Sequence, residues 1–507
     1  MRSARSLAAC ILTVALVACK VGPNFTPPES PVPDKYAGMK SAVAEVSAPT
    51  TSTDSPPTSF WWQQFHDAQL DHLEERAAAG NLDLKAAFLR IVEAREQLQS
   101  ARAQGLPSLD ASASYSREQL GLAGIIKSQH IDAAGGSSTT AGLISSLESP
   151  VNLYQLGFDA SWELDLFGKV RRSVEAADAR SAGAVESRND LLVSLEAEVA
   201  QDYFQLRAGQ MLRTVVGDQI AAQREVLDLT QNRQQHGLAG EADVDSARAQ
   251  LFTLQSELPP YEQSIATSRH ALAVLTGQAP EAMDAEFGES GDLPALPAVL
   301  PVGLPSTLAR RRPDIRQSET ALHAATAQIG VSVASLFPDI SLTGTFGLRS
   351  LNPGYLFDWD SKFYTIGPTI SIPIFQGGAL VSNVRLSRAL AAEAALNYRR
   401  TVLNALEEVE NGLTDLHQNA ARTAALRDTV AADQHALDID LDAYRHGLLN
   451  YISVLTVQIQ MVQARQQLAQ ALLTQNTDLV KLYKALGGGW EDVPANSDAK
   501  PDGSAGN

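Results

Sequence analysis

Two kinds of hydrophobic pattern run along the chain. In four short stretches apolar and polar residues take turns, and longer stretches repeat apolar residues at spacings of three and four. The clearest alternation sets Leu156, Phe158, Ala160, Trp162, Leu164 and Leu166 against Gln155, Gly157, Asp159, Ser161, Glu163 and Asp165. Another sets Ile366, Pro368, Ile370, Ile372 and Ile374 against Thr365, Gly367, Thr369, Ser371 and Pro373. Shorter runs hold Leu109, Ala111, Ala113 and Tyr115, and Ile340, Leu342, Gly344 and Phe346. They predict strands near 107–117, 153–166, 338–348 and 363–375, each with one apolar face. Proline-free helical patterns extend from about Gly168 to Gln235 and from about Gly378 to Arg445, with coiled-coil spacings such as Leu192, Leu195, Val199 and Val402, Leu406, Val409, Leu413. At 1.5 Å per residue each helix reaches on the order of 100 Å. Gly237 and Gly447 end them as left-handed caps, and shorter helices return over about Asp243–Leu275 and Ile452–Leu486.

The pattern occurs twice. NLDLKAAFLRIVEAREQLQSARAQGLP ends at Pro107 and RPDIRQSETALHAATAQIGVSVASLFP at Pro338, a shift of 231; HGLAGEADV at His236 recurs as HGLLNYISV at His446, a shift of 210. Such self-similarity marks a duplicated unit. The order within each is helix, strand, long loop, strand, very long helix, turn, helix. The repeats are placed at 60–276 and 306–487, with a Pro- and Gly-rich linker or collar at 277–305 and a disordered tail at 488–507.

The strands fit a soluble sandwich as well as a membrane barrel, so the first residues bear on the choice. Arg2 and Arg5 precede an apolar run, Leu7 to Val17, too short to span a bilayer and right for a secretory signal over 1–18. The run ends in Leu16, Val17, Ala18, Cys19, which resembles a bacterial lipobox, making Cys19 the lipidation candidate. Its acyl chains would exceed the two-signal minimum for lasting attachment, and Lys20 in place of an aspartate implies outer-membrane sorting. Residues 19–59, rich in Pro, Ser, Thr and Ala, read as an extended tether that wraps or dangles. With no run of about 18 apolar residues after the signal, any membrane span must come from strands. Tyr154 and Trp162 would lie roughly 20 Å apart along the membrane normal, close to the spacing of two aromatic girdles. Four strands cannot close a barrel, since single-chain barrels start at about eight. A dimer would give about eight strands and a filled lumen, a trimer about twelve and an open pore. Only the trimer suits a conduit, a choice that already assumes transport.

Charge and chemistry narrow the function. Forty basic residues against 58 acidic give a formal charge of -18, against a nucleic-acid partner. Both cysteines lie within the first 19 residues, leaving no thiol for a disulfide, metal site or nucleophile. Nine scattered histidines, no HExxH, no serine elbow and no phosphate loop point away from an enzyme and from any cofactor beyond a covalent lipid on Cys19.

These residues resemble the outer membrane factor (TolC-like) family, in its lipoprotein, NodT-like branch serving resistance-nodulation-division pumps. The resemblance rests on CKVGPNFTPPESPVP, FWWQQFHDAQLDHL from Phe60, SWELDLFGKVRRSVEAA from Ser161, RRPDIRQSETALHAATAQIG from Arg311 and PIFQGGAL from Pro373. It implies an α+β membrane protein: a homotrimeric outer-membrane β-barrel, four strands per protomer, continued by a long α-helical coiled-coil periplasmic tunnel closed at rest. It implies a passive efflux duct in the Gram-negative outer membrane, docked to a periplasmic adaptor and an inner-membrane transporter. Gly237, Leu238, Ala239, Gly447 and Leu448 are then candidate adaptor contacts, with plain turn geometry as the other explanation. Many relatives carry acidic gate rings where this chain has Leu449, Ser453 and Thr456, so that carry-over fails. Glu241, Asp243 and Asp245, with Tyr444 and Arg445 as inter-helix partners, are the gate candidates, or else ordinary helix-start acids. Asp159, Glu163 and Asp165 would form acidic rings in the barrel and favour cations. A type I secretion channel has the same fold and remains the alternative, followed by a structural envelope lipoprotein.

Overall fold

Alternation and 3.6-residue periodicity become the elements they predict, in a computed structural model that describes residues 20–28, 33, 35–37, 50–52, 58–119, 150–284, 286–288 and 291–491. Cys19, the signal segment and the end of the tail lie outside the described residues. In chain order the elements are β1 (Thr50–Ser52), α1 (Ala68–Gly80), α2 (Leu82–Ala103), β2 (Ser108–Glu118), β3 (Val151–Glu163), α3 (Lys169–Gln235), α4 (Glu241–Leu275), β4 (Val299–Pro301), α5 (Pro305–Arg311), α6 (Pro313–Ala334), β5 (Asp339–Ser350), β6 (Lys362–Ser371), α7 (Ala379–Arg445) and α8 (Tyr451–Ala485). The duplication is visible in the lengths: α2 and α6 have 22 residues each, α3 and α7 have 67, and α4 and α8 have 35.

The chain divides into two compact units. The first holds residues up to 26, 95–179 and 323–393. Its centre is a four-stranded antiparallel sheet in the order β2-β3-β5-β6. The register aligns Asp110 with Asp159, Asp159 with Thr345 and Thr345 with Thr365, so polar residues share one face across all four strands. Strand ends differ from expectation: β3 stops at Glu163 and β6 at Ser371, so Leu164, Asp165, Leu166, Ile372 and Ile374 lie beyond the ladder. Residues 20–25 also belong here and are packed. The buried Arg172 guanidinium donates to the carbonyls of Val21 and Gly22 and to Asn24 Oδ1, and Phe25 stacks on His323 at 4.4 Å.

The second unit holds residues 27–94, 180–322 and the chain from 394. Its core joins the short 3-10 turn Trp61–Phe65, just before α1, to α3 and α8: Trp61 stacks on Tyr483 at 5.0 Å and Phe65 meets Phe204 at 4.9 Å. Two expectations, the tether and the tail, are corrected here, and the collar is seen to be packed. The 19–59 segment is more than a tether, because Tyr36 is buried in this core and β1 pairs in parallel with β4. The 277–305 collar contributes Leu300 and Val302 to the same core. The tail begins docked: Trp490 Nε1 donates to the Arg311 carbonyl at 3.1 Å, and Arg311 pairs with Glu491 at 2.7 Å.

Candidate functional site

The sheet turns its apolar side outward. Leu109, Phe158, Leu342, Phe346, Ile366 and Ile370 are all exposed, which inverts the usual burial of a sheet's apolar face. A contiguous patch of this size marks contact with lipid or another chain. Aromatic residues collect at both ends. Tyr115, Tyr154, Tyr355 and Trp359 stand at one, with Tyr115 and Tyr154 rings 4.9 Å apart. Trp162, Phe167 and Phe337 stand at the other, where Trp162 Nε1 donates to the Gly105 carbonyl at 3.0 Å. Two such belts around an apolar band are what a membrane-spanning strand layer needs.

On the polar face the three predicted acids separate. Asp159 sits mid-strand and accepts from Thr345 Oγ1 at 2.9 Å and Ser112 Oγ at 3.3 Å. Glu163 ends β3 and is paired with Lys169 Nζ at 3.3 Å, which also reaches Asp339 at 3.4 Å. Asp165 is a correction: it lies past the strand and accepts the backbone N–H groups of Val170 and Arg171 and the Arg171 side chain. It starts α3, where a carboxylate satisfies unpaired helix donors, and so does not belong to an acidic ring on the strand. Near the helix start, Glu175 gathers Lys20, Arg172 at 2.9 Å and His323 at 3.1 Å. Burial works to raise its carboxyl, but hydrogen bonds from those three outweigh it and hold it down at about 2.

At the hairpin tips the same turn is built twice. Leu238 N–H bonds the Arg233 carbonyl and Gly237 N–H the Gln234 carbonyl; Leu448 and Gly447 do the same to Ala443 and Tyr444. This is the Schellman arrangement, and it places Gly237 at φ 71° and Gly447 at φ 77°. A Cβ added at Gly237 would meet nothing within 4 Å, so within the chain the glycine serves its backbone angle rather than close approach. Ala239 is half-buried, while Leu238 and Leu448 are 68% and 78% exposed, apolar side chains held out by rigid turns.

The gate candidates are redistributed. Asp243 accepts the Gly240 N–H at 3.0 Å and Asp245 pairs with Arg248 at 2.6 Å, both along their own helix. Among the described residues no Arg445-to-carboxylate bond crosses the tip; Glu241 and Arg445 are exposed. Tyr444 is buried, and the arginine it meets is Arg233, whose Nη1 donates to its carbonyl at 2.6 Å and whose guanidinium lies 4.6 Å from the ring centroid. Thr230 Oγ1 lies 3.1 Å from the Tyr444 hydroxyl, and Gln223 Nε2 donates to the Tyr451 hydroxyl at 3.1 Å. Arg233, Thr230, Gln223 and Tyr451 went unrecognised in the sequence. The available signal was that Tyr444 and Tyr451 stand where the first repeat has Gln234 and Glu241.

Two acids, Glu74 on α1 and Glu196 on α3, are buried in the second unit. Burial pushes the Glu74 carboxyl well above its ordinary value and Glu196 adds to the effect; burial does the same to Glu196 against a hydrogen bond from Trp61. Among the described residues no group of three or more His, Cys, Asp or Glu could hold a metal ion, and no helix is long and apolar enough to cross a membrane.

Known proteins share this arrangement. The sequence signature described as "Outer membrane efflux protein" matches residues 73–278 and 304–488. The chain is 30% identical over 486 residues to the probable efflux pump outer membrane protein TtgC of Pseudomonas putida, covering 96% of this chain and 95% of that one. It is 30% identical over 492 residues to nodulation protein T of Rhizobium leguminosarum bv. viciae, covering 96% and 93%. Among solved structures, the outer-membrane channel OprN superimposes with a TM-score of 0.82 at 32% identity, covering 93% of this chain and 100% of that one.

Proposed function

The chain belongs to the outer membrane efflux protein family, and from that premise we propose that it is the outer-membrane exit duct of a tripartite pump, assembled from three copies. The observation that carries this reading is the four-stranded sheet with its apolar face exposed and its outer strands, β2 and β6, each paired on one side only among the described residues. In lipid every unpaired backbone group costs several kcal/mol, so the sheet needs neighbours. Joining β6 of one copy to β2 of the next removes the open edges. Three copies give about twelve strands around an open lumen, whereas about eight would be filled by side chains. The polar face then lines the lumen, and Asp159 recurs three times around it to favour cations.

The remaining roles follow from the same premise. A lipid on Cys19 anchors the chain to the outer membrane. The exposed Leu238 and Leu448, with Gly237, Ala239 and Gly447, dock a periplasmic adaptor, and Glu241 and Arg445 pair between neighbouring copies to hold the tips closed. A resistance-nodulation-division transporter in the inner membrane supplies the energy, and drugs or other small molecules are the cargo. In-cell crosslinking of the tagged protein tests the assembly. Recovery of an adaptor with a proton-driven transporter is expected; recovery of cell-wall partners alone would overturn the reading.

A further inference from the structure

The polar face of the four-stranded sheet carries a single aromatic ring, that of Phe363. By register Phe363 stands opposite Gly347, and Gly347 opposite Gly157, in the row next to Asp159 and Thr345. A Cβ at Gly347 would come 2.9 Å from Phe363 Cε1, so the glycine leaves the space in which the ring lies. On that ring rests Arg349. Its guanidinium carbon is 4.5 Å from the Phe363 centroid, and its Nε and Nη2 donate to Gln155 Oε1 at 3.2 and 2.9 Å. Face and edge of the cation are thus both held, and by neutral groups. Among the described residues no carboxylate pairs with it and its Nη1 donors are unused.

Arg349 is also the one basic residue on this face of the four strands, where the other charges are Asp110, Glu118, Asp159, Glu163 and Asp339. Glu163 and Asp339 share Lys169 at the helical end. The 231-residue shift matches Arg349 with Glu118, so the two repeats carry opposite charges at the end of the sheet farthest from the helices. We propose that Arg349 is a specificity-determining residue of the duct: positioned by Phe363 and Gln155, it offsets the acids of the outer mouth and gives passing anionic groups a partner there. This role rests on the sheet being one third of a lumen wall. Around three copies Glu118 and Arg349 then alternate, and without the arginine the mouth would be a ring of acids. A guanidinium with free donors suits a carboxylate or phosphate, which accepts paired hydrogen bonds. Arg349 lies four residues beyond Thr345, the partner of Asp159, or about 10 Å along the membrane normal at a tilt near 40°. That is about one Debye length at 0.1 M salt, so each level governs its own stretch of the lumen.

The test is the reversal potential under a potassium chloride gradient, with the full-length purified assembly in a planar lipid bilayer. Arg349→Gln should raise the ratio of cation to anion permeability about twofold near 0.1 M salt, the scale of one exposed charge acting through water. At 1 M, where the Debye length is about 3 Å, the ratio should hardly change. Arg349→Lys keeps the charge and should keep the ratio. Gln155→Glu, which pairs the arginine in place, should raise the ratio as Arg349→Gln does and serves if that variant does not assemble. Phe363→Leu removes the platform and leaves every charge, and should move the ratio part of the way in the same direction. Channels whose low-salt ratio is the same in the wild type, Arg349→Gln and Gln155→Glu would overturn this role and leave the duct standing. An assembly that passes no current would overturn both.

Discussion

The two hairpins share their dimensions and their turns but not their interiors. Both pair a 67-residue helix with a 35-residue one and close with the same glycine turn. Inside, the second brings buried Tyr444 and Tyr451 against Thr230, Arg233 and Gln223 of the first, whereas the equivalent positions of the first are the polar Gln234 and Glu241. The first carries Pro259 and Pro260 inside α4 where the second has Ala469 and Gln470, and Glu196 where the second has Leu406. Duplication set the scaffold, and divergence then decided how one hairpin clasps the other.

The largest expected effect breaks that clasp. Tyr444→Ala should cost on the order of 3–5 kcal/mol in thermal unfolding, as for other buried aromatics, while Gln234→Ala at the matching position stays within about 0.5 kcal/mol. Making α4 like α8 comes next. A proline in a helix interior costs about 3 kcal/mol, so Pro259→Ala with Pro260→Ala should stabilise the protein by up to that amount and raise its unfolding temperature. Smaller again are the turns: Gly237→Ala and Gly447→Ala should each cost about 1–2 kcal/mol, alike in both hairpins because the φ angles match.

The smallest effect is a pH dependence. An acid whose carboxyl is raised in the folded state destabilises it as the pH climbs above the ordinary 4.5 and has no such cost below. Glu196→Gln should therefore raise the unfolding temperature more at pH 8 than at pH 4. The gain is limited because the amide is still a buried polar group. An equal shift at both pH values would deny that charge is what burial opposes there.

Much of the scaffold was legible because it follows from period and repetition. The strands, both 67-residue helices and the glycine turns came from local patterns that need no partner to be read. Packing of distant segments was not legible. Nothing around Tyr36, Leu300 or Trp490 shows that they join the core, and each does so through residues far away in sequence. Site residues divide in the same way. Gly237 and Gly447 were read for their conformation and are seen in it, whereas Asp165, Asp243 and Asp245 looked like charges for a pore or gate and are held by neighbouring groups. A carboxylate pattern cannot tell which donors the fold will bring to it. The Arg233–Tyr444 contact joins residues 211 apart, beyond any local pattern.

The most direct test of the whole account is conductance of the purified protein in a planar lipid bilayer, with the assembly mass taken from the same preparation by native mass spectrometry. The account predicts three chains per particle and discrete openings that prefer cations, a preference reduced by Asp159→Asn. Monomers without conductance, or a particle of two chains, would contradict it.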